Sequence, residues 1–190
     1  MTTLLAGCED PTDPGDQNEQ ELITTVELTL TPDGGGDDVV ARWADPEGDG
    51  SPVIDDVLLD AGGYTLAVRF LDELSSPVED ISEEVAAEAD EHQVFFTGPG
   101  VEGPASTAEA ATVLTHAYTD TDDNGLPLGL ENSVDAVAGT TELTVTLRHL
   151  PMQGDVAQKT EGIAGTVAEA GIGAIAGDTD AEVTFSVDVQ

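Results

Sequence analysis

Positive charge is what this chain lacks most. Its 190 residues carry 4 Lys plus Arg against 40 Asp plus Glu, a formal net charge of −36. Arg42, Arg69, Arg148 and Lys159 are the whole cationic complement. Phosphate contacts need Lys and Arg, so nucleic acid is excluded as a partner. An anionic membrane surface would repel the domain for the same reason. Aromatic residues are scarce at 4%, so a core must be built from Val, Leu, Ile and Ala. No apolar run is long enough to span a bilayer as a helix. Cys8 is the one cysteine, which excludes an intramolecular disulfide.

The residues that are present set the class. A hydrophobic share of 39% is enough for a packed core and argues against global disorder. The acids are spread along the whole chain rather than gathered in a tail. Such self-repulsion disfavours a compact state in dilute buffer. At about 1 M salt the Debye length falls to roughly 3 Å and the repulsion is screened. The composition therefore predicts a protein of a halophile.

Cys8 ends the run "LLAGC", from Leu4 and Leu5 through Ala6 and Gly7. The run resembles a bacterial lipobox, in which signal peptidase cuts before a cysteine whose thiol carries a diacylglycerol. Only Met1, Thr2 and Thr3 precede it, so the basic and apolar regions of a signal peptide are expected upstream. The stretch that follows, "EDPTDPGDQNEQ", is acidic, Pro-containing and without apolar periodicity, the composition of a tether. Residues 1–7 are read as the remnant of a signal peptide and 8–20 as the tether. Residues 21–190 are read as one domain of ordinary size. The expected location is the bacterial cell envelope, at the periplasmic or outer-membrane surface, with the membrane as partner through a lipid on Cys8.

From Glu21 onward, apolar and polar residues alternate with period two. In "ELITTVELTLT" Leu22, Val26, Leu28 and Leu30 share one face; in "GYTLAVRFLDE" Tyr64, Leu66, Val68 and Phe70 do. "VVARWA", "HQVFFT", "ATVLTHAYT", "TELTVTLRH" and "AEVTFSVDV" follow the same rule. About seven one-sided strands separated by turn signals predict an all-β fold, an antiparallel β-sandwich of Ig-like dimensions. "SPVEDISEEVAAEAD" places Val78, Ile81 and Val85 at helical spacing and predicts a short helical insertion. "KTEGIAGTVAEAGIGAIAGDTD", rich in Gly and Ala, is expected to be a long loop, with room for a small hairpin.

Few residues suggest chemistry. No G-x-S-x-G occurs, so no serine sits in a nucleophile elbow. Strand parity puts His92, His116 and His149 on apolar faces. One reading makes them rim or core histidines bonded to backbone. The sharper one places His92 and His149 on neighbouring strands as a transition-metal pair, without a spaced set such as His-x-His. With 40 acids, two neighbouring carboxylates carry almost no information about acid–base catalysis.

The stretch "DTDDNGLPLGLE" matches the calcium-loop pattern D-x-[DN]-x-[DN]-G-x5-E at each constrained place. Asp120, Asp122, Asn124 and Glu131 would supply side-chain oxygens, the Leu126 carbonyl a further one, and Gly125 the sharp turn. Calcium is the one cofactor this predicts. Strand-like flanks and Pro127 argue against a paired EF-hand, and an Asx-type turn uses the same residues. "DPEGDG", with Asp45, Glu47 and Asp49, is a weaker copy.

Taken as a set, "ITTVELTLTP", "DPEGDG", "RFLDELSSPVEDISEEV", "DEHQVFF", "YTDTDDNGLPLGL", "TLRHLP" and "DAEVTFSV" resemble a group of small envelope lipoproteins from Bacteroidetes-like bacteria. These often bear the label "type 1 periplasmic binding fold superfamily protein". The resemblance implies an envelope lipoprotein and no particular activity. The fold in that label needs two lobes of repeated βαβ units, which a chain of this length and alternation does not offer. The expected function is a non-catalytic binding or structural module with a protein or glycan ligand. The alternative is a carbohydrate-active, hydrolytic domain using surface carboxylates.

Overall fold

The computed structural model describes residues 21–190; Cys8 and the tether lie outside the described residues. The strands are β1 (Thr25–Pro32), β2 (Val39–Ala44), β3 (Val53–Ile54), β4 (Val57–Leu59), β5 (Gly62–Asp72) and β6 (Glu79–Asp80), then β7 (His92–Thr97), β8 (Val101–Glu102), β9 (Leu114–Tyr118), β10 (Glu131–Ala136), β11 (Gly139–His149) and β12 (Asp178–Val189). Two helices join them, α1 (Ser82–Ala87) and α2 (Ile163–Ala170). An eight-stranded sheet runs β3-β2-β1-β5-β10-β9-β8, with β6 on β5. A four-stranded sheet runs β4-β12-β11-β7. This is the all-β sandwich with a short helical insertion that the alternation predicts.

Period-two patterning sets the register. Val26, Leu28, Leu66, Val68 and Phe70 of the large sheet and Phe96, Val145, Phe185 and Val187 of the small one are buried in a single core. A one-residue slip of any of these strands would turn its apolar set to solvent. Most pairing is antiparallel; the two parallel pairs, β12 with β4 and β8 with β9, involve edge strands of two or three residues. No helix among the described residues is long and apolar enough to cross a membrane.

Two segments depart from expectation. Part of the Gly/Ala-rich stretch expected as a loop forms α2, with Ile163 and Val167 buried one turn apart. Glycines with positive φ, Gly162 (83°) and Gly171 (82°), bound it at both ends, and its Ala residues are strong helix formers. Its partner is the outer face of the small sheet, where Phe95, Ala105 and Leu150 join Ile163 and Val167 in a second cluster. That is why β7 is buried on both faces. In the predicted helical insertion Ile81 and Val85 are buried, but Val78 lies outside α1 and is exposed, as is Leu22 ahead of β1.

Candidate functional site

The acidic loop between β9 and β10 is closed by its own backbone. Asp120 accepts hydrogen bonds from the backbone N–H groups of Gly129 (2.7 Å), Leu130 (2.8 Å) and Glu131 (3.0 Å). Asp122 Oδ1 accepts from Asn124 and Leu126, each at 2.8 Å. The Leu126 carbonyl accepts from Asp122 N at 2.8 Å, and Gly125 turns the chain at φ 79°. Asn124 and Glu131 are exposed. Glu131 begins β10 and shares the outward parity of Ser133 and Asp135.

The other oxygen of Asp122 meets a cation belonging to the chain. Lys159 Nζ lies 2.9 Å from Asp122 Oδ2, with both side chains withdrawn from water. Burial pushes the Asp122 carboxyl up, but the Lys159 ammonium and the N–H groups of Leu126 and Asn124 outweigh it and hold it below the usual carboxylate range. Burial lowers the Lys159 ammonium, against the pull of Asp122, Asp120 and Asp90. Lys159 also donates to the Ala89 carbonyl at 2.7 Å. A calcium ion on Asp122 would have to displace this ammonium.

The other three cations are engaged as well. Glu27 on β1 stands opposite Arg42 of β2 and Arg69 of β5. Arg42 reaches Glu27 (3.4 Å) and Glu73 (2.7 Å); Arg69 reaches Glu27 (3.6 Å) and Asp80 (2.6 Å). Arg148 donates to Thr179 Oγ1 at 2.6 Å, to the Ala176 carbonyl at 2.7 Å, and to the Gly177 carbonyl.

One group of side chains stands apart from the acidic surface. His92 begins β7 and His149 ends β11, directly opposite each other in the ladder. Their rings stack with centroids 4.6 Å apart and planes within 8°. They are 1% and 6% exposed. His92 Nδ1 lies 3.2 Å from the Glu88 carbonyl oxygen, which can only accept, so Nδ1 carries the proton. His92 Nε2 and His149 Nε2 are buried without a hydrogen-bond partner. His149 Nε2 lies 3.7 Å from Glu91 Oε2. Burial pushes His92 down to about 4, with His149 and Lys159 adding to it and the Glu88 carbonyl and Asp90 opposing. Glu88, exposed at the end of α1, completes the group: one donor atom from each of Glu88, His92 and His149 lies within 4.8 Å of the others.

Two further acids lie close by. Asp180 lies where the β11–β12 register shifts, and both its carboxylate oxygens are buried without a partner. Burial raises its pKa to about 6, Asp178 adds to the rise, and His149 and Arg148 oppose it. Glu21 is raised to about 7 by burial and by Glu84, Asp180 and Glu88.

The remaining candidates have local roles. His116 Nε2 pairs with Asn132 Oδ1 at 2.9 Å inside the core. Asp45 of "DPEGDG" accepts from the backbone of Asp49 (3.1 Å) and Gly50 (2.8 Å), a turn. Tyr64 donates to the Asp60 carbonyl and Tyr118 to that of Val94. Parity in the sequence placed both histidines of the stacked pair on apolar faces. Glu88 carried only a faint signal, four residues before His92, and Asp180 none, because a register shift breaks parity. No protein-family model, curated protein or solved structure matches this chain.

Proposed function

We propose that the chain is a lipid-anchored, non-catalytic binding or structural module on the cell envelope of a halophilic bacterium. The observation that carries this reading is the use made of the four cations: each is held in intramolecular contacts, Lys159 buried and the half-buried Arg42 and exposed Arg69 paired with acids, so carboxylates set the charge of the surface. Such a surface repels its own parts in dilute buffer and is screened in molar salt. The run "LLAGC" with its acidic tether supplies the anchor at Cys8.

A glycan-binding or hydrolytic domain would be expected to present aromatic rings in a cleft. Here Trp43 packs against the core, and the Tyr64 and Tyr118 hydroxyls are bonded to backbone. That favours the non-catalytic reading over a carbohydrate-active one. Thermal unfolding between low salt and molar NaCl tests the halophile part. Melting should rise by many degrees across that range, and a flat profile would remove charge screening as the reason for this composition.

A further inference from the structure

We propose that Glu88, His92 and His149 bind one divalent transition-metal ion of the zinc, nickel or copper class, with Asp180 as its nearby counter-charge. The proposal does not rest on the lipid anchor or on calcium at Asp120 and Asp122.

The two imidazoles argue for an ion rather than for ordinary core packing. A buried histidine in a core usually bonds through both ring nitrogens or borders an ordered water. His116 Nδ1 is also buried without a partner, but among the described residues only His92 and His149 stand together with a third ligand group. Here His92 donates through Nδ1 to the Glu88 carbonyl, which fixes the tautomer and leaves the Nε2 lone pair free. Metal-bound histidines are oriented in this way, by a backbone or carboxylate acceptor on the far nitrogen. His92 Nε2 and His149 Nε2 are both buried without a hydrogen bond, on residues that are 1% and 6% exposed, and His149 Nε2 has the Glu91 carboxylate at 3.7 Å. Two such nitrogens on facing rings are costly alone, and one ion satisfies both.

Glu88 supplies the anionic ligand from the rim. It follows α1 in the chain, its backbone N–H bonded to the Glu84 carbonyl at 2.9 Å, and its exposed side chain gives an ion a route in from solvent. The next residue, Ala89, is held through its carbonyl by Lys159. The buried Lys159–Asp122 pair thus fixes the segment that carries this ligand. Donor atoms within 4.8 Å of one another are slightly open for an ion. Bonds of about 2.0–2.1 Å in a tetrahedral shell put donors about 3.4 Å apart. Closure needs the His92 and His149 rings, stacked with planes within 8°, to turn until both lone pairs meet one ion, with Glu88 swinging in from the rim.

Charge and softness select the ion. Two neutral imidazoles and one carboxylate suit zinc, nickel or copper; calcium and magnesium require oxygen shells. Glu88 provides one negative charge. Asp180 provides the second, its two carboxylate oxygens buried without a hydrogen-bond partner. A divalent ion at this place relieves Asp180, His92 and His149 together.

The test is titration of the metal-free protein with Co2+ and with Cu2+ in molar sodium nitrate, which screens diffuse binding to the acidic surface. One equivalent of Co2+ should develop the intense visible absorption of a four- or five-coordinate site. Cu2+ should show nitrogen hyperfine coupling from two imidazoles by electron paramagnetic resonance. E88Q changes an exposed side chain and removes a direct ligand, so it should weaken binding by at least the roughly 10–100-fold that loss of an outer-shell partner costs. H149Q should remove the two-nitrogen signature, and D180N should weaken binding several-fold. A pale, octahedral cobalt spectrum without nitrogen coupling on copper would overturn the site whether or not H149Q folds. So would unchanged affinity in E88Q.

Discussion

The Lys159 ammonium lies 2.9 Å from Asp122 Oδ2, and neither side chain reaches water. The one lysine of the chain thus sits inside the loop that a pattern of acids marks out for a metal. Its ammonium joins the β9–β10 loop, the Ala89 carbonyl and the segment ahead of α2. Truncating one partner of a buried pair leaves the other charge uncompensated, at a cost of about 3–5 kcal/mol. Lys159→Met should lower stability by that amount in denaturant titrations at constant molar salt. Lys159→Met combined with Asp122→Asn should recover most of the loss, because no buried charge remains. A double variant as weak as the single one would mean that packing of the lysine stem matters more than the ion pair.

Calcium separates the two uses of "DTDDNGLPLGLE". With Asp120 bonded to three backbone N–H groups and Asp122 facing Lys159, the loop holds its shape without an added ion. Calorimetry with CaCl2 in molar NaCl should give the same small heat for the natural protein and for Asp123→Asn. Saturable one-to-one binding abolished by Glu131→Gln would show instead that calcium enters at Asp120, Asp122, Asn124 and Glu131.

Asp180 should give the protein an acid-favouring contribution to stability. Its carboxyl is raised from the ordinary 3.8 to about 6, chiefly by burial. A carboxyl that binds its proton more tightly when folded favours the folded state at low pH. That contribution is present below its unfolded pKa and is lost as pH rises through the folded one. His149 and Arg148 on β11, Asp178 on β12 and Glu21 are the charged groups that face it. In metal-free protein, Asp180→Asn should therefore stabilise at pH 8, by about 1–2 kcal/mol after allowance for solvent screening. The gain should vanish near pH 4. An equal gain at both pH values would point to packing rather than to ionisation.

The strands were legible because the sandwich buries one face of most of them, and burial of one face writes period two into the sequence. Leu28, Val68, Val145 and Phe185 all fall where alternation places them. α2 was hidden because its apolar signal is only Ile163 and Val167, in a stretch where Gly162, Gly165 and Gly171 suggest a loop. The acidic loop shows the opposite difficulty. Its local pattern is strong, but Lys159 lies 37 positions after Asp122, and no short-range pattern announces a cation from that distance. His92 and His149 stood on the correct faces in the sequence. That they stand opposite each other follows from the pairing of β7 with β11 across the intervening strands β8 to β10, a non-local fact.

Glu27, flanked by Arg42 and Arg69 on the outer face of the large sheet, offers a measure of screening. Exposed pairs contribute roughly 0.2–1 kcal/mol and weaken with salt. Glu27→Gln should cost about that much in dilute buffer and close to nothing in molar NaCl. A cost unchanged by salt would mark the Arg42–Glu27–Arg69 row as a hydrogen-bonded structure rather than an electrostatic one.

The most direct test of the account concerns the proposed lipid anchor at Cys8. The gene should be expressed with its natural upstream sequence in a bacterial host, and the product partitioned between water and detergent. The natural protein should enter the detergent phase and incorporate labelled fatty acid, and Cys8→Ala should stay in the aqueous phase, unlabelled. Natural protein found unlabelled in the aqueous phase with Cys8 intact would contradict an envelope lipoprotein.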